Sequence, residues 1–275
     1  MEADTKMDSS YLGWNPVEVR IGSSLYDPSG AAPIDFGFRL GGVRNCSYAP
    51  GRLLVGITAE DRSDGGQVVA VFNRANAMTR ILTRRDYLLH HALNRAGTQV
   101  SFTQPSAGAA TADLYILNVD GEGSEVMLEG VLAQGSVPAW FPDDTRLVYH
   151  TPDHRIEIFD RAERRRVDLE AGRDPTVSSC GNWIAFRRKD ELFVRSLADG
   201  RVEKVWSPNA LLRRGMADGL SWSADGAYLS FGVSAGPVGK QTRFYVLDRA
   251  SGASRQTKTR HLEGLLLIEG LMNHT

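Results

Sequence analysis

The chain lacks most features that mark disulfide-rich, nucleic-acid-binding or membrane proteins. Its two cysteines, Cys46 and Cys180, match no zinc or redox spacing. The 32 basic residues almost balance the 33 acidic residues, so net charge gives no general attraction to nucleic acid. No apolar run approaches the ~18 residues of a membrane-spanning helix. We therefore expect neither a nucleic-acid partner nor a membrane span.

The first residues, MEADTKMDSSY, show neither the basic start nor the apolar stretch of a secretory signal. As written, the chain is expected to be cytoplasmic, and it would be periplasmic if a signal peptide had been removed. Hydrophobic residues make up 42% of the chain and charged residues 24%, which is typical of a globular protein with a sizeable core.

The chain does contain an internal repeat. Five segments share a template in which an anchor residue is followed by a polar turn and then by apolar residues seven and nine positions later. The clearest copies are Trp140-Phe-Pro-Asp-Asp-Thr-Arg-Leu-Val-Tyr149 and Trp222-Ser-Ala-Asp-Gly-Ala-Tyr-Leu-Ser-Phe231. The anchor residues are Tyr48, Leu93, Trp140, Val177 and Trp222. They are separated by 45, 47, 37 and 45 residues, which is close to the length of one propeller blade.

Each copy also predicts further strands. A second alternating run ends in a polar turn, as in Leu114 to Gly121 and Phe244 to Gly252. Alternation closed by Asn, Asp or Gly is typical of hairpins. Short apolar stretches before each anchor and after each second run complete four strands per repeat.

The repeats lie near residues 43–85, 88–130, 134–170, 173–207 and 216–257. Residues 12–40 resemble the second half of a repeat, and residues 260–272 resemble a first half. We predict one all-β domain over residues 1–275, a β-propeller of six four-stranded blades in which strands from both ends of the chain close the sixth. Five blades with capping termini is the alternative.

The copy Trp222-Ser-Ala-Asp-Gly, followed by Phe244-Tyr-Val-Leu-Asp248, resembles the repeat of TolB-like propellers. The resemblance covers roughly residues 43–257 and implies a fold, not a function, because Tol-system proteins, peptidase propellers and oligogalacturonate lyases share this repeat. Peptidase members add a hydrolase domain, for which this chain has no residues left.

Two histidines are candidate metal ligands. His91 lies two residues before an anchor, and the other repeats have Cys46, Pro138, Pro175 and Leu220 at that place. His150 follows the strand that ends at Tyr149. The resemblance to oligogalacturonate lyases implies a divalent metal at these histidines. The opposing interpretation is two structural or solvated histidines and no cofactor.

Three loops at the same place in the repeat are long, Thr58–Gln67, Thr103–Ala112 and Ser234–Gln241, and the same loop is short at 149–156 and 186–192. Insertions on a rigid scaffold gather on binding faces. We therefore predict this rim as the partner-binding face, with the candidate binding residues Asp61, Arg62, Asp64, Gln104 and Lys240.

No nucleophile, base and orienting acid can be named together, so the sequence favours a non-enzymatic scaffold that binds another protein. The alternative is a metal-assisted lyase of acidic oligosaccharides, similar to oligogalacturonate lyase. A third possibility, a bacterial accessory or immunity-type protein that binds another protein, cannot be distinguished by sequence from the non-enzymatic scaffold.

Overall fold

The computed structural model describes residues 19–21, 24–26, 34–35, 40–48, 54–61, 66–73, 78–107, 110–121, 124–208, 216–223, 226–235 and 241–256. These residues form strands and turns. Among them no helix is long and apolar enough to cross a membrane.

The described strands form one three-stranded sheet and five four-stranded sheets, and neighbouring strands are antiparallel. The three-stranded sheet is β1 (Val19–Ile21), β2 (Ser24–Tyr26) and β3 (Ile34–Asp35). Sheet 1 is β4 (Leu40–Tyr48), β5 (Leu54–Asp61), β6 (Gln67–Asn73) and β7 (Met78–Arg85); sheet 2 is β8 (His91–Leu93), β9 (Gln99–Pro105), β10 (Thr111–Asn118) and β11 (Ser124–Ala133).

The other three sheets follow the same sequence order. Sheet 3 is β12 (Ala139–Trp140), β13 (Arg146–His150), β14 (Arg155–Asp160) and β15 (Arg165–Ala171); sheet 4 is β16 (Arg173–Val177), β17 (Trp183–Arg188), β18 (Glu191–Ser196) and β19 (Val202–Trp206). Sheet 5 is β20 (Met216–Trp222), β21 (Tyr228–Ala235), β22 (Gln241–Asp248) and β23 (Ser254–Gln256). The first strands of successive sheets, from β4 to β20, are neighbours in space.

The repeat anchors have one structural role. Every anchor is the last residue of the first strand of its sheet. Each pairs with the residue seven positions later, namely Val55, Val100, Leu147, Ile184 and Leu229. The turn between them places a residue with positive φ four positions after the anchor in sheets 2 to 5, at Gly97, Asp144, Gly181 and Gly226. The spacing of the sequence template is therefore the spacing of a tight hairpin.

The core lies between the sheets. In β17, Ile184 and Phe186 pack with Phe141 and Val148 of sheet 3, whereas Ala185 packs with Trp222 of sheet 5. Successive residues of a strand point to opposite faces, so one strand supplies two separate core clusters. Similar clusters join sheets 1 and 2 and sheets 2 and 3.

The tryptophan anchors also link sheets by hydrogen bonds. The Trp140 indole Nε1 donates to the carbonyl of Ala92 at 3.1 Å, and the Trp222 Nε1 donates to the carbonyl of Thr176 at 3.3 Å. Both acceptors immediately precede the anchor of the previous sheet. A tryptophan at this place thus fills the core between two sheets and satisfies a first-strand carbonyl.

The predicted sixth blade falls largely outside the described residues. The structure has three strands within residues 12–40, and residues 260–272 are not described. The number of blades and the single domain over residues 1–275 stay predictions.

The connection from sheet 3 to sheet 4 is very short, and Gly172 lies between β15 and β16. A Cβ atom there would lie 2.6 Å from Ile156 Cδ1 and 2.6 Å from Phe186 Cδ2. Both neighbours belong to the core between the two sheets. This close approach holds the first strand of sheet 4 against sheet 3.

We expect Gly172→Ala to lower the free energy of unfolding by about 1–3 kcal/mol, because overpacking displaces the two core side chains. Gly135→Ala is the matched control, since a Cβ there meets nothing within 4 Å. Urea denaturation of both variants checks this. Equal stabilities would contradict the close packing at Gly172.

Candidate functional site

One face of the sheets carries two kinds of connection. Strands alternate in direction within each sheet, so the second-to-third hairpins and the crossovers to the next sheet lie at the same end. We call this end the hairpin face. The first-to-second and third-to-fourth turns lie at the opposite face.

The long loops predicted on this face are partly strand. The second and third strands extend to pair Glu60 with Gln67, Pro105 with Ala112, and Ala235 with Gln241. The parts predicted as loop at 58–61, 103–105 and 234–235 are therefore strand residues. In sheets 3 and 4 the second strand is joined to the third only by residues 151–154 and 189–190. The face is thus raised at sheets 1, 2 and 5 and low at sheets 3 and 4.

The predicted binding residues are only partly described. Asp61 is the last residue of β5 and pairs with Leu40 of β4. Gln104 is half-buried in β9 and pairs with Asp113 of β10. Arg62, Asp64 and Lys240 lie outside the described residues. A binding role for these five residues stays a prediction.

The crossover from sheet 1 to sheet 2 is fixed between two raised hairpins. The Leu88 amide donates to the buried Gln67 Oε1 at 2.7 Å, and the Leu89 amide donates to the carbonyl of Thr103 at 3.0 Å. The Thr103 amide donates to the carbonyl of His90 at 2.8 Å. The Gln67 side chain on one side and the Thr103 backbone on the other therefore hold this segment in place.

Two large apolar side chains on this face are exposed. Tyr87 is 50% exposed on the first crossover, and Val137 is 41% exposed on the crossover from sheet 2 to sheet 3. They are the exposed large hydrophobic residues of the described part of the chain. The second crossover is fixed too, because the His150 amide donates to the buried Ser136 Oγ at 2.9 Å. Both exposed side chains therefore lie on segments that hydrogen bonds hold in place.

His91 is buried between sheets 1 and 2. Its Nδ1 lies 2.5 Å from Thr58 Oγ1, and its Nε2 makes no hydrogen bond within the described part of the chain. Burial lowers the pKa of His91 to about 4, against the opposing effect of the Gly56 backbone, and the neighbouring His90 lowers it slightly further. His91 is therefore neutral at physiological pH.

His150 ends β13 beside Asp174 on the first strand of sheet 4. The Asp174 amide donates to His150 Nδ1 at 3.3 Å, and the Asp174 carboxylate lies 3.8 Å from the same nitrogen. Burial lowers the pKa of His150 to about 4; Asp174 acts in the opposite direction, and Arg173, His154 and Arg187 add to the lowering. The surroundings of His150 are thus rich in positive charge.

The structure gives the two candidate metal ligands separate neighbours. His91 contacts Thr58 of sheet 1, and His150 contacts Asp174 of sheet 4. In the ranges that the structure describes, no group of three His, Cys, Asp or Glu side chains could hold a metal ion. Metal binding by His91 and His150 stays a prediction.

Solved structures with the same architecture are known. TolB from Acinetobacter baumannii is 13% identical at a TM-score of 0.63, over 84% of this chain and 58% of TolB. The Cps50 (Swd1) β-propeller domain of Myceliophteria thermophila is 13% identical at a TM-score of 0.62, over 90% of this chain and 83% of that domain. This chain has a TolB-like, WD40-like propeller fold. The predicted fold class, an all-β propeller, is confirmed.

The likeness of this propeller to known proteins is one of fold alone. An oligogalacturonate lyase in complex with manganese is 11% identical at a TM-score of 0.60, over 88% of this chain and 73% of the lyase. The chain spans 58% of the length of the A. baumannii TolB that it matches. No family model and no curated protein matches the sequence.

One pentapeptide of the propeller, Gly232 to Gly236, has the Gly-x-Ser-x-Gly spacing of a hydrolase nucleophile elbow. That elbow places its serine on a sharp turn between a strand and a helix. Here Ser234 lies within β21 and pairs with Thr242 of β22. The match is therefore one of spacing and not of structure.

The residues predicted from the sequence do not include four on the hairpin face, Tyr87, Val137, Arg173 and Asp174. They lie on or next to crossovers, which do not follow the repeat template. Their only signal in the sequence is an apolar residue just before a first strand, as at Tyr87 and Val137, or a charged residue at its start, as at Arg173 and Asp174, and that signal is weak.

The two buried histidines predict a pH dependence of stability. Because their folded-state pKa of about 4 lies below the ordinary 6.5, the unfolded chain binds more protons between these values. Stability should be fully present above pH ~6.5 and should fall toward pH ~4, by up to about 3 kcal/mol for each histidine. Urea denaturation between pH 7 and pH 5 measures the slope.

The variants His91→Gln and His150→Gln should each reduce this slope. Arg201→Gln is the control, because Arg201 is exposed and is not among the charges that act on either histidine, so the slope should be unchanged. A full wild-type slope in both buried-histidine variants would contradict the account.

Proposed function

We propose that this chain is a non-enzymatic propeller that binds a protein partner through its hairpin face. The observation that carries this proposal is the position of Tyr87 and Val137. Both are exposed, and both lie on crossovers at that face, Tyr87 before β8 and Val137 before β12. Aromatic side chains on rigid surfaces dominate the binding energy of protein interfaces, since little conformational entropy is lost when they are covered.

The rigidity of the two crossovers supports the same function. Buried Gln67 and Thr103 hold the segment after Tyr87, and buried Ser136 holds the segment of Val137 against β13. A surface that is already ordered loses less entropy on binding. The likeness to TolB and to the Swd1 propeller domain fits such a scaffold role.

The opposite face has a different character. Its turns are joined to one another: the Arg95 and Ala96 amides donate to Asp144 at 2.7 and 3.0 Å, and Arg95 Nη1 donates to the carbonyl of Ser179 at 2.8 Å. These contacts cross from sheet 2 to sheets 3 and 4. The turns of this face therefore hold sheets together. Because this face lies opposite the proposed binding face, an exposed residue on it is a suitable position for a control substitution.

The double variant Tyr87→Ser, Val137→Ser should bind a protein partner at least about tenfold more weakly, because a few side chains that become buried at an interface carry most of its binding energy. Wild-type and variant proteins are immobilised, and the proteins captured from a lysate of the source cells are quantified by mass spectrometry. Arg201→Gln, in an exposed turn on the opposite face, is the control. Circular dichroism and thermal unfolding confirm that each variant is folded.

The proposal predicts a protein retained by wild type and by Arg201→Gln but lost from the double variant. Identical captured proteins for all three would contradict it. Cleavage of trigalacturonate in the presence of a divalent ion would instead establish the lyase alternative.

A further inference from the structure

The low part of the hairpin face, at sheets 3 and 4, carries an unbalanced pair of like charges. Arg173 of β16 and Arg187 of β17 are direct cross-strand partners. Directly opposed residues of an antiparallel pair extend from the same side of the sheet with their Cβ atoms roughly 5 Å apart, and like charges in that arrangement are destabilising. This pair therefore lowers the stability of the folded protein unless a negative charge lies near it.

Among the described residues, the carboxylate next to this pair is that of Asp174. The Asp174 carboxylate is ion-paired with Arg187 Nε, and both side chains are partly buried. Arg173 is exposed, and its guanidinium makes no hydrogen bond or ion pair within the described ranges. Arg173 is therefore the member of this pair whose guanidinium has no carboxylate partner among the described residues.

The other acidic groups of this low region have partners of their own. Glu170 is ion-paired with Arg188 and Arg195, Asp168 with Arg155, and Asp153 accepts from the Thr151 hydroxyl. The exception is Asp190 in the exposed β17–β18 turn, which makes no ion pair among the described residues. None of these carboxylates compensates Arg173.

The backbone of the same region is unusual. Five non-glycine residues in the described part of the chain have positive φ, and three of them, His154, Asp174 and Lys189, lie in this region. Such conformations cost a non-glycine residue of order 1 kcal/mol and cluster at functional sites. Asp174, at φ 51°, is the residue whose carboxylate pairs with Arg187.

We propose that Arg173 binds a carboxylate from an acidic segment of the protein partner, with the neighbouring Arg187 adding to the positive charge at the site. This inference rests on the proposed function, because Tyr87 and Val137 on the same face are what favour a protein as the ligand. A guanidinium donates two parallel hydrogen bonds to a carboxylate, so Arg173 is suited to an Asp or Glu side chain. Asp174 keeps Arg187 oriented, and the short connections of sheets 3 and 4 leave the pair accessible.

The test uses an acetylated hexaglutamate peptide as the probe, with trigalacturonate as an acidic sugar, and titrates both by calorimetry at about 50 mM salt, where exposed charges are weakly screened. Arg173→Gln is compared with Arg201→Gln, which removes the same charge from the same sheet at the opposite face. Circular dichroism confirms that each variant is folded. We expect Arg173→Gln to weaken peptide binding about five- to tenfold and Arg201→Gln to leave it unchanged.

A second measurement does not depend on the probe. Removing Arg173 relieves the cross-strand repulsion, so Arg173→Gln should unfold at a higher temperature than wild type in the absence of peptide. Added hexaglutamate should stabilise wild type and Arg201→Gln but not Arg173→Gln.

Equal peptide binding by the two variants, or no binding by wild type, overturns the inference. Binding of trigalacturonate alone, lost in Arg173→Gln, also overturns it in favour of an acidic sugar. If the captured protein partner still binds Arg173→Gln as it binds wild type, this inference fails while the proposed function stands. If the Tyr87 and Val137 substitutions have no effect, the proposed function fails whatever the peptide does.

Discussion

The structure depends on the burial of both faces of sheets 2, 3 and 4 by their neighbours. These sheets share their cores with the sheets beside them; β13, for example, places Leu147 and Tyr149 toward sheet 2 and Val148 toward sheet 4. Each sheet is therefore stable only beside the next. The tryptophan anchors of sheets 3 and 5 reinforce this dependence, because each indole bonds to the first strand of the preceding sheet. A rigid array of this kind can present a fixed surface at its strand ends.

The part of this architecture that repeats could be predicted from the sequence. The interval of seven residues between Trp140 and Leu147, or between Trp222 and Leu229, is the pairing register of a tight hairpin, and the structure has that register in five sheets. Continuous apolar runs such as Leu147-Val148-Tyr149 indicate burial on both sides of a strand, because each face of the sheet contacts a neighbour. Local turn chemistry and the two-residue period are sufficient to define these elements.

The candidate site could be predicted only as a face, since its residues do not repeat. Loop length indicated which end of the sheets differs among the copies, although strands extend further into the hairpins than the turn-forming residues suggest. The opposition of Arg173 and Arg187 depends on a register shift between Arg173 and Thr176, which no sequence pattern indicates. Similarly, His91 resembles a ligand in sequence, but the fold buries it beside Thr58.

The most direct test of the account is hydrogen–deuterium exchange of the propeller, free and bound to a captured protein partner. A partner on the hairpin face should slow exchange at residues 86–90, 134–138 and 171–175 and leave the opposite turns at 94–98, 141–145 and 178–182 unchanged. Slower exchange at those opposite turns, with no change at the crossovers, would contradict the assignment of the binding face.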